Sequence, residues 1–259
     1  MFQGRAGLVG MASVAVGASC LALAACSSAS SSGSTPGAGG SSSATGAAPS
    51  ATSTADPLAG LTADQVAAKV ITTAKAAPSL TLNGSTTDSG VTETIKFALK
   101  PGQGCTGTAG SADKGSFELT EIGDTTYLKP DKQFWEASAG SSASAVIALI
   151  NGRYIKLSPG NKSMQSLVSI CDVSQMFSTD GKKDKLTKGK VTTLDGTRVL
   201  QLNDTTDGSV GYVTDTGAPQ LVQFTGPKGS GKITVTYGAP VTLTPPSPSQ
   251  VLDGAKIGL

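Results

Sequence analysis

The stretch Leu80-Thr81-Leu82-Asn83, followed past Asp88-Ser89-Gly90 by Thr94-Ile95-Lys96-Phe97-Ala98-Leu99-Lys100, changes character at every residue. Leu80 and Leu82 fall on one side, Thr81 and Asn83 on the other. Ile95, Phe97 and Leu99 likewise alternate with Thr94, Lys96, Ala98 and Lys100. A period of two belongs to strands, because successive side chains leave opposite faces of the pleat. Two such runs around an Asp-Ser-Gly turn predict an antiparallel hairpin with one face in a core and one in water.

Upstream, the period lengthens. Leu61-Thr62-Ala63-Asp64-Gln65-Val66 opens a helix: Thr62 can cap, Gln65 can close a capping box, and Leu61 can staple onto Val66. Val66, Ala67, Val70, Ile71 and Ala74 then share a face, and Pro78 stops the helix. Downstream, short strands are expected around 106–111, 116–121 and 125–129. The middle is different. Residues 142–151 are compact and apolar, 153–157 reads as a strand, and 161–170 and 172–177 read as two short helices, the second capped by Asp172. Their Met164, Leu167, Val168, Met176 and Phe177 suit either ordinary core packing or an adaptable cover over a cavity. Strands return at 190–194, 197–202, 209–214, 220–225 and 232–237, with Asp195-Gly196, Asp207-Gly208, Thr216-Gly217 and Gly229-Ser230-Gly231 as turns. Pro245, Pro246 and Pro248 predict no regular structure near the end.

Composition narrows the function classes. A formal net charge of +2 offers no concentrated basic face for nucleic acid. The chain has no histidine, so the commonest general base and metal ligand are missing. No catalytic residues, no metal site and no cofactor are expected, and the chain is read as a non-enzyme and a monomer. Two strings tempt. Gly226-Pro227-Lys228-Gly229-Ser230-Gly231-Lys232 is nearly a phosphate loop, but Ile233 stands where Ser or Thr is needed and a strand follows instead of a helix. Gly102-Gln103-Gly104-Cys105-Thr106-Gly107 matches the dinucleotide fingerprint as a string, yet no helix follows it either. The basic stretch Lys182, Lys183, Lys185, Lys188 and Lys190 reads as a solvated turn and edge strand, or as a contact for anionic headgroups.

The N-terminus carries its own signal. Residues 1–25 read as a signal peptide: Arg5 gives the positive end, and an uncharged apolar run leads to Leu23-Ala24-Ala25-Cys26. That tetrad resembles the bacterial lipobox, so Cys26 is the expected lipidation site. Cys20 lacks the branched residue three positions before it. The competing reading is an uncleaved membrane anchor. Lipidation would hold the chain at the outer face of the cytoplasmic membrane, since several acyl chains anchor stably where one does not. Residues 26–60 are expected to be the lipidated Cys and a Ser/Gly/Ala linker, with an end-to-end distance of about 30 Å. Residues 61–259 are the expected folded domain, large enough for one core.

Four cysteines are present. With Cys20 leaving and Cys26 lipidated, Cys105 and Cys171 remain. In an exported chain a disulfide is the simplest outcome; two buried thiols or a two-Cys metal site are the alternatives.

Four local features carry a family resemblance: the opening Leu61 to Gln65, Ile122-Gly123-Asp124-Thr125-Thr126-Tyr127-Leu128-Lys129, Gly152-Arg153-Tyr154-Ile155-Lys156, and Thr236-Tyr237-Gly238-Ala239-Pro240-Val241. In these and in element order the chain resembles actinobacterial lipoproteins of the LppX and LprG type, within the LolA-like lipid carriers. The resemblance implies an α+β fold: a curved antiparallel β-sheet (half-barrel) wrapping an N-terminal helix and inserted short helices. It also implies a hydrophobic cavity for an acyl lipid or glycolipid. Ile95, Phe97, Leu99, Phe117, Leu119, Ile233 and Val235 are the candidate lining, and plain core is the alternative reading of each. A different class of function is a surface module that binds an envelope protein or polymer through an exposed apolar patch.

Overall fold

The computed structural model describes residues 56–157, 164–176 and 185–257. Helix α1 (Ala63–Ala76) begins as the sequence dictates. Gln65 N–H donates to Thr62 Oγ1 at 3.2 Å, and Thr62 N–H donates to Gln65 Oε1 at 2.9 Å. The helix ends with extended backbone at Ala77, as the residue before a proline requires. Its buried side is Ala63, Val66, Val70 and Ala74.

A meander follows: β1 (Leu80–Asp88), β2 (Val91–Lys100), β3 (Gly104–Ser111), β4 (Gly115–Ile122) and β5 (Thr125–Pro130). Helices α2 (Lys132–Ala139) and α3 (Ala143–Ile150) come next, then β6 (Tyr154–Leu157) and the short α4 (Gln165–Val168) and α5 (Val173–Met176). The last third is β7 (Leu186–Leu194), β8 (Thr197–Asp204), β9 (Val210–Thr214), β10 (Leu221–Thr225), β11 (Gly231–Tyr237) and β12 (Val251–Asp253). Among the described residues these strands form one open, curved sheet in the order β12-β6-β5-β4-β3-β2-β1-β11-β10-β9-β8-β7. All its pairings are antiparallel except β12 with β6. The α+β curved-sheet expectation is borne out.

Register explains why one face is apolar. Leu99 lies opposite Leu80 and Cys105; Phe97 lies opposite Leu82 and Gly107. Leu119 faces Gly107 and Leu128, and Val235 faces Leu82. Because the side-chain period is two, these rows stay on one side across the sheet. Gly107 leaves room for the Phe97 ring, since a Cβ there would fall 2.6 Å from Phe97 Cδ1.

Two apolar clusters result. The larger joins Leu80, Phe97, Leu99, Leu119, Leu128 and Val235 to Phe134, Trp135 and Ile150 from the helices. The smaller joins Val66 and Val70 of α1 to Leu200, Leu202 and Val213.

Three details differ from the sequence reading. Helix α2 lies in a stretch for which the sequence reading named no element, and Asp131 caps it. The prolines near the end are followed by β12, because three proline-free residues suffice to pair with the free edge of β6. Ordered packing also starts before Leu61: Leu58 is buried in the smaller cluster, and Lys188 Nζ donates to the carbonyls of Leu58 (2.5 Å), Ala59 (3.2 Å) and Leu61 (3.2 Å). A buried apolar side chain and a lysine thus both tie this segment to the domain. The predicted helices at 161–170 and 172–177 correspond to α4 and α5, and residues 161–163 and 177 lie outside the described residues, as does Cys26. Among the described residues no helix is long and apolar enough to cross a membrane.

Candidate functional site

The sheet brings all seven candidate lining residues to its apolar face. Phe97, Leu99, Phe117, Leu119 and Val235 are buried there, and Ile95 and Ile233 are partly buried against them. Of the seven, Phe117 also lines a cleft of about 430 Å³ between β4, β5, α2 and α3. Trp135, Ile147, Ile150 and Pro130 supply the rest of its apolar wall, and Glu118, Lys129, Asp131 and Lys132 stand among its polar groups.

Each wall is fixed by a local device. Glu118 and Lys129 are cross-strand partners, as are Phe117 and Pro130. Asp131 accepts from Phe134 N–H at 2.7 Å and caps α2. It also accepts from Ser116 N–H (2.8 Å) and Ser116 Oγ (2.7 Å), which binds the helix start to β4. Burial alone would raise the Asp131 carboxyl; these donors outweigh it and hold the group below the ordinary Asp range. Gly115 has a φ of +75°, and a Cβ there would run into Phe134 N and Asp131 Oδ1. Only glycine lets the helix start lie this close. At the end of α3, Arg153 donates to the carbonyls of Ile150 (3.1 Å) and Leu149 (2.9 Å), where a cation is favoured.

Aromatic side chains stack edge-on beneath the cleft. Phe117 and Phe134 have centroids 6.0 Å apart, and Phe134 and Trp135 5.5 Å apart. The charges at the rim have partners. Lys129 lies 3.5 Å from Glu118, and Lys132 lies 3.2 Å from Glu136. Tyr154 Oη donates to Glu118 Oε2 at 2.6 Å. Burial, then that bond and the Glu118 charge, push the Tyr154 hydroxyl up to about 12.

Beyond the cleft, Cys105 and Cys171 are joined, with 5.3 Å between their Cα atoms. The bond ties β3 to the segment between α4 and α5. Beside Cys105 in the register stands Glu121, which sequence reasoning passed over because nothing local marks it. The phosphate-loop string forms a tight turn over Pro227–Gly229 between β10 and β11. Gly102 to Gly107 is a turn running into β3. Of the basic stretch, Lys188 and Lys190 lie on the edge strand β7 and Lys185 just before it; Lys182 and Lys183 lie outside the described residues. Trp135 and α2 were missed as site elements, although Asp131 before Phe134-Trp135 was a capping signal.

A curved open sheet with helices against its apolar face has counterparts among solved structures. The structural neighbours are lipoproteins of the LprF and LppX type and LolA-like sorting domains. LprF from Mycobacterium bovis is 17% identical, with a TM-score of 0.45 over 71% of this chain and 96% of that one. The Mycobacterium tuberculosis lipoprotein LppX is 14% identical, with a TM-score of 0.41 over 69% of this chain and 98% of that one. An outer-membrane lipoprotein-sorting protein domain from Vibrio parahaemolyticus is 12% identical, with a TM-score of 0.26 over 70% of this chain and 94% of that one. The likeness at these identities is one of fold. No family model and no curated protein matches the chain.

Proposed function

We propose that the chain is an exported lipoprotein, anchored through Cys26 at the outer face of the cytoplasmic membrane, whose domain binds acyl lipid. The cleft is the observation that carries this reading. Its volume of about 430 Å³ falls in the range of small-molecule sites. Phe117, Trp135, Ile147 and Ile150 give it an apolar wall, and charged side chains stand among its lining. Such a site suits an amphiphile. The alternative surface module needs a contiguous exposed apolar patch. Among the described residues the large exposed apolar side chains are Leu149 and Val191, on α3 and on the distant edge strand β7.

The full chain purified from its host membrane should carry extractable acyl lipid in native mass spectrometry, over and above its covalent anchor. Ile147→Asp, at a partly exposed position, should lower that occupancy severalfold. A chain without extractable lipid would refute the lipid reading. The anchor is tested separately. Cys26→Ala should leave the chain as an uncleaved precursor or release it from membranes; normal processing with membrane retention would contradict the assignment.

A further inference from the structure

We infer that α3 docks on the lipid bilayer, its outward face dipping into the membrane beside the cleft. The inference rests on the anchored-lipoprotein reading for the nearness of a membrane, and goes beyond it by naming the surface that meets the bilayer. Seven of the eight residues of α3 are apolar, and the buried ones are Ala143 and Ile150. Val146 and Ile147 pack partly on the larger cluster. Ala145, Ala148 and Leu149 are exposed, Leu149 to 50%. A surface helix ordinarily turns charged or polar side chains to water. From Ala137 to Gly152 the chain has no charged side chain. Core packing explains the inner row of α3 but not this outer one.

Size and backbone chemistry choose the occupant. One leucine and its neighbouring alanines fall well short of the roughly 1,000 Å² that a specific protein interface buries. A bilayer demands neither that area nor a matching shape, and a tether supplies the local concentration that a weak contact needs. Lipid does demand that backbone groups find partners within the protein. At the exposed end of α3 they do. Asn151 N–H donates to the Ile147 carbonyl at 2.8 Å, and Arg153 donates to the carbonyls of Leu149 (2.9 Å) and Ile150 (3.1 Å). Arg153 also brings its cation to headgroup level, as long basic side chains do at a membrane surface. Ile147 and Ile150 line the cleft, so contact along the outer row puts acyl chains beside the cleft wall. The tether permits this orientation. It enters the domain at Asp56, on the side of the opposite edge strand β7, and a chain the length of residues 26–55 reaches about 100 Å when extended.

The two large exposed apolar side chains, Leu149 and Val191, give the test its contrast, since they lie toward opposite edges of the sheet. The full chain, purified with its anchor, is reconstituted into vesicles of phosphatidylcholine and phosphatidylglycerol. Leu149→Cys or Val191→Cys carries an environment-sensitive fluorophore; Cys105 and Cys171 are joined and do not compete for it. Docking through α3 predicts a blue-shifted label at position 149, quenched by acyl-chain spin labels severalfold more than the label at 191. Tethering alone predicts the reverse, because β7 lies beside the segment through which the tether enters. A label at Ala145→Cys should lose most of its quenching when Leu149→Asp is added and keep it with Leu149→Ile; both changes fall at an exposed position that the fold tolerates. Equal quenching at 149 and 191, stronger quenching at 191, or quenching at 145 that survives Leu149→Asp would each overturn the inference and leave the anchor and the lipid reading intact. A photo-crosslinker at 149 that captures a protein or a second copy of this chain in host membranes, without quenching by lipid, would overturn it in favour of a protein interface. A chain that does not sediment with the vesicles would overturn the anchor and this inference together.

Discussion

Glu121 is a carboxylate in an apolar row. It stands on the inner face of β4, opposite Cys105 on one side and Thr126 on the other. Burial raises its carboxyl above the ordinary Glu value of 4.5; the Thr126 hydroxyl, 3.3 Å away, offsets part of this, and the nearby charges of Asp172 and Asp124 add to it. The folded protein therefore holds this proton to a higher pH than the unfolded chain does. A raised folded value contributes stability that is complete below 4.5 and is lost as pH rises through the folded value. Glu121→Gln removes the charge and keeps an acceptor for Thr126. Its urea midpoint should exceed that of the parent at pH 7, and the difference should close below pH 4.5. Equal midpoints at pH 7 would show that the ionised carboxylate costs the fold nothing.

Elements differ in how openly the sequence declares them. Helix α1 was legible because its capping box is a contact between residues three apart. The strands of the meander were legible because Leu80, Leu82, Phe97 and Leu99 repeat every second residue. Helix α2 was not: it has eight residues, and its buried side chains Phe134 and Trp135 are adjacent, which is neither a helical nor a strand period. The inner face could be read from β2, β4 and β11, but the cleft could not. It depends on which helix side chains cross the end of the sheet, and no local pattern records that. The cysteines were legible by arithmetic, since two remaining cysteines allow one pairing. That pairing gives an element-scale prediction. The bond spans 66 residues, and on the chain-entropy account its loss should lower stability by about 4 kcal/mol. A Cys105→Ser, Cys171→Ser double variant should therefore show a lower urea midpoint. Amides in α4 and α5 should exchange faster than those of β1 and β2, because the bond is what ties those short helices to β3. Uniform exchange with an unchanged midpoint would mean that apolar packing alone holds this segment.

At the scale of the whole molecule, the sheet carries two different jobs at its two ends. Strands β4 and β5 lie toward one edge and line the cleft; β7, β8 and β9 lie at the other and receive α1 and the segment that precedes it. That segment enters through Asp56 and Leu58. The carboxyl of Asp56 accepts from Leu58 N–H at 2.8 Å. Its value is held below the ordinary Asp range, first by its interaction with the neighbouring carboxyl of Asp215 and then by that Leu58 donor. Asp215 is buried 2.9 Å from Arg198 Nε, and burial, followed by Asp56, raises its carboxyl. Chain arriving from the proposed anchor at Cys26 is thus fixed at the end of the sheet remote from the cleft. The two apolar clusters share Leu221 at their boundary but have separate buried centres. Perturbations of well-separated groups add with little coupling. Leu58→Ala should therefore lower stability by about 2–4 kcal/mol, as deletion of a buried leucine side chain does. The affinity of the cleft for dioctanoylglycerol, read by Trp135 emission under folding conditions, should change by less than about twofold, because the lost contacts belong to the smaller cluster. If affinity instead fell in step with stability, the two ends would form one cooperative unit, and the attachment of the incoming chain would then tune lipid binding across the sheet.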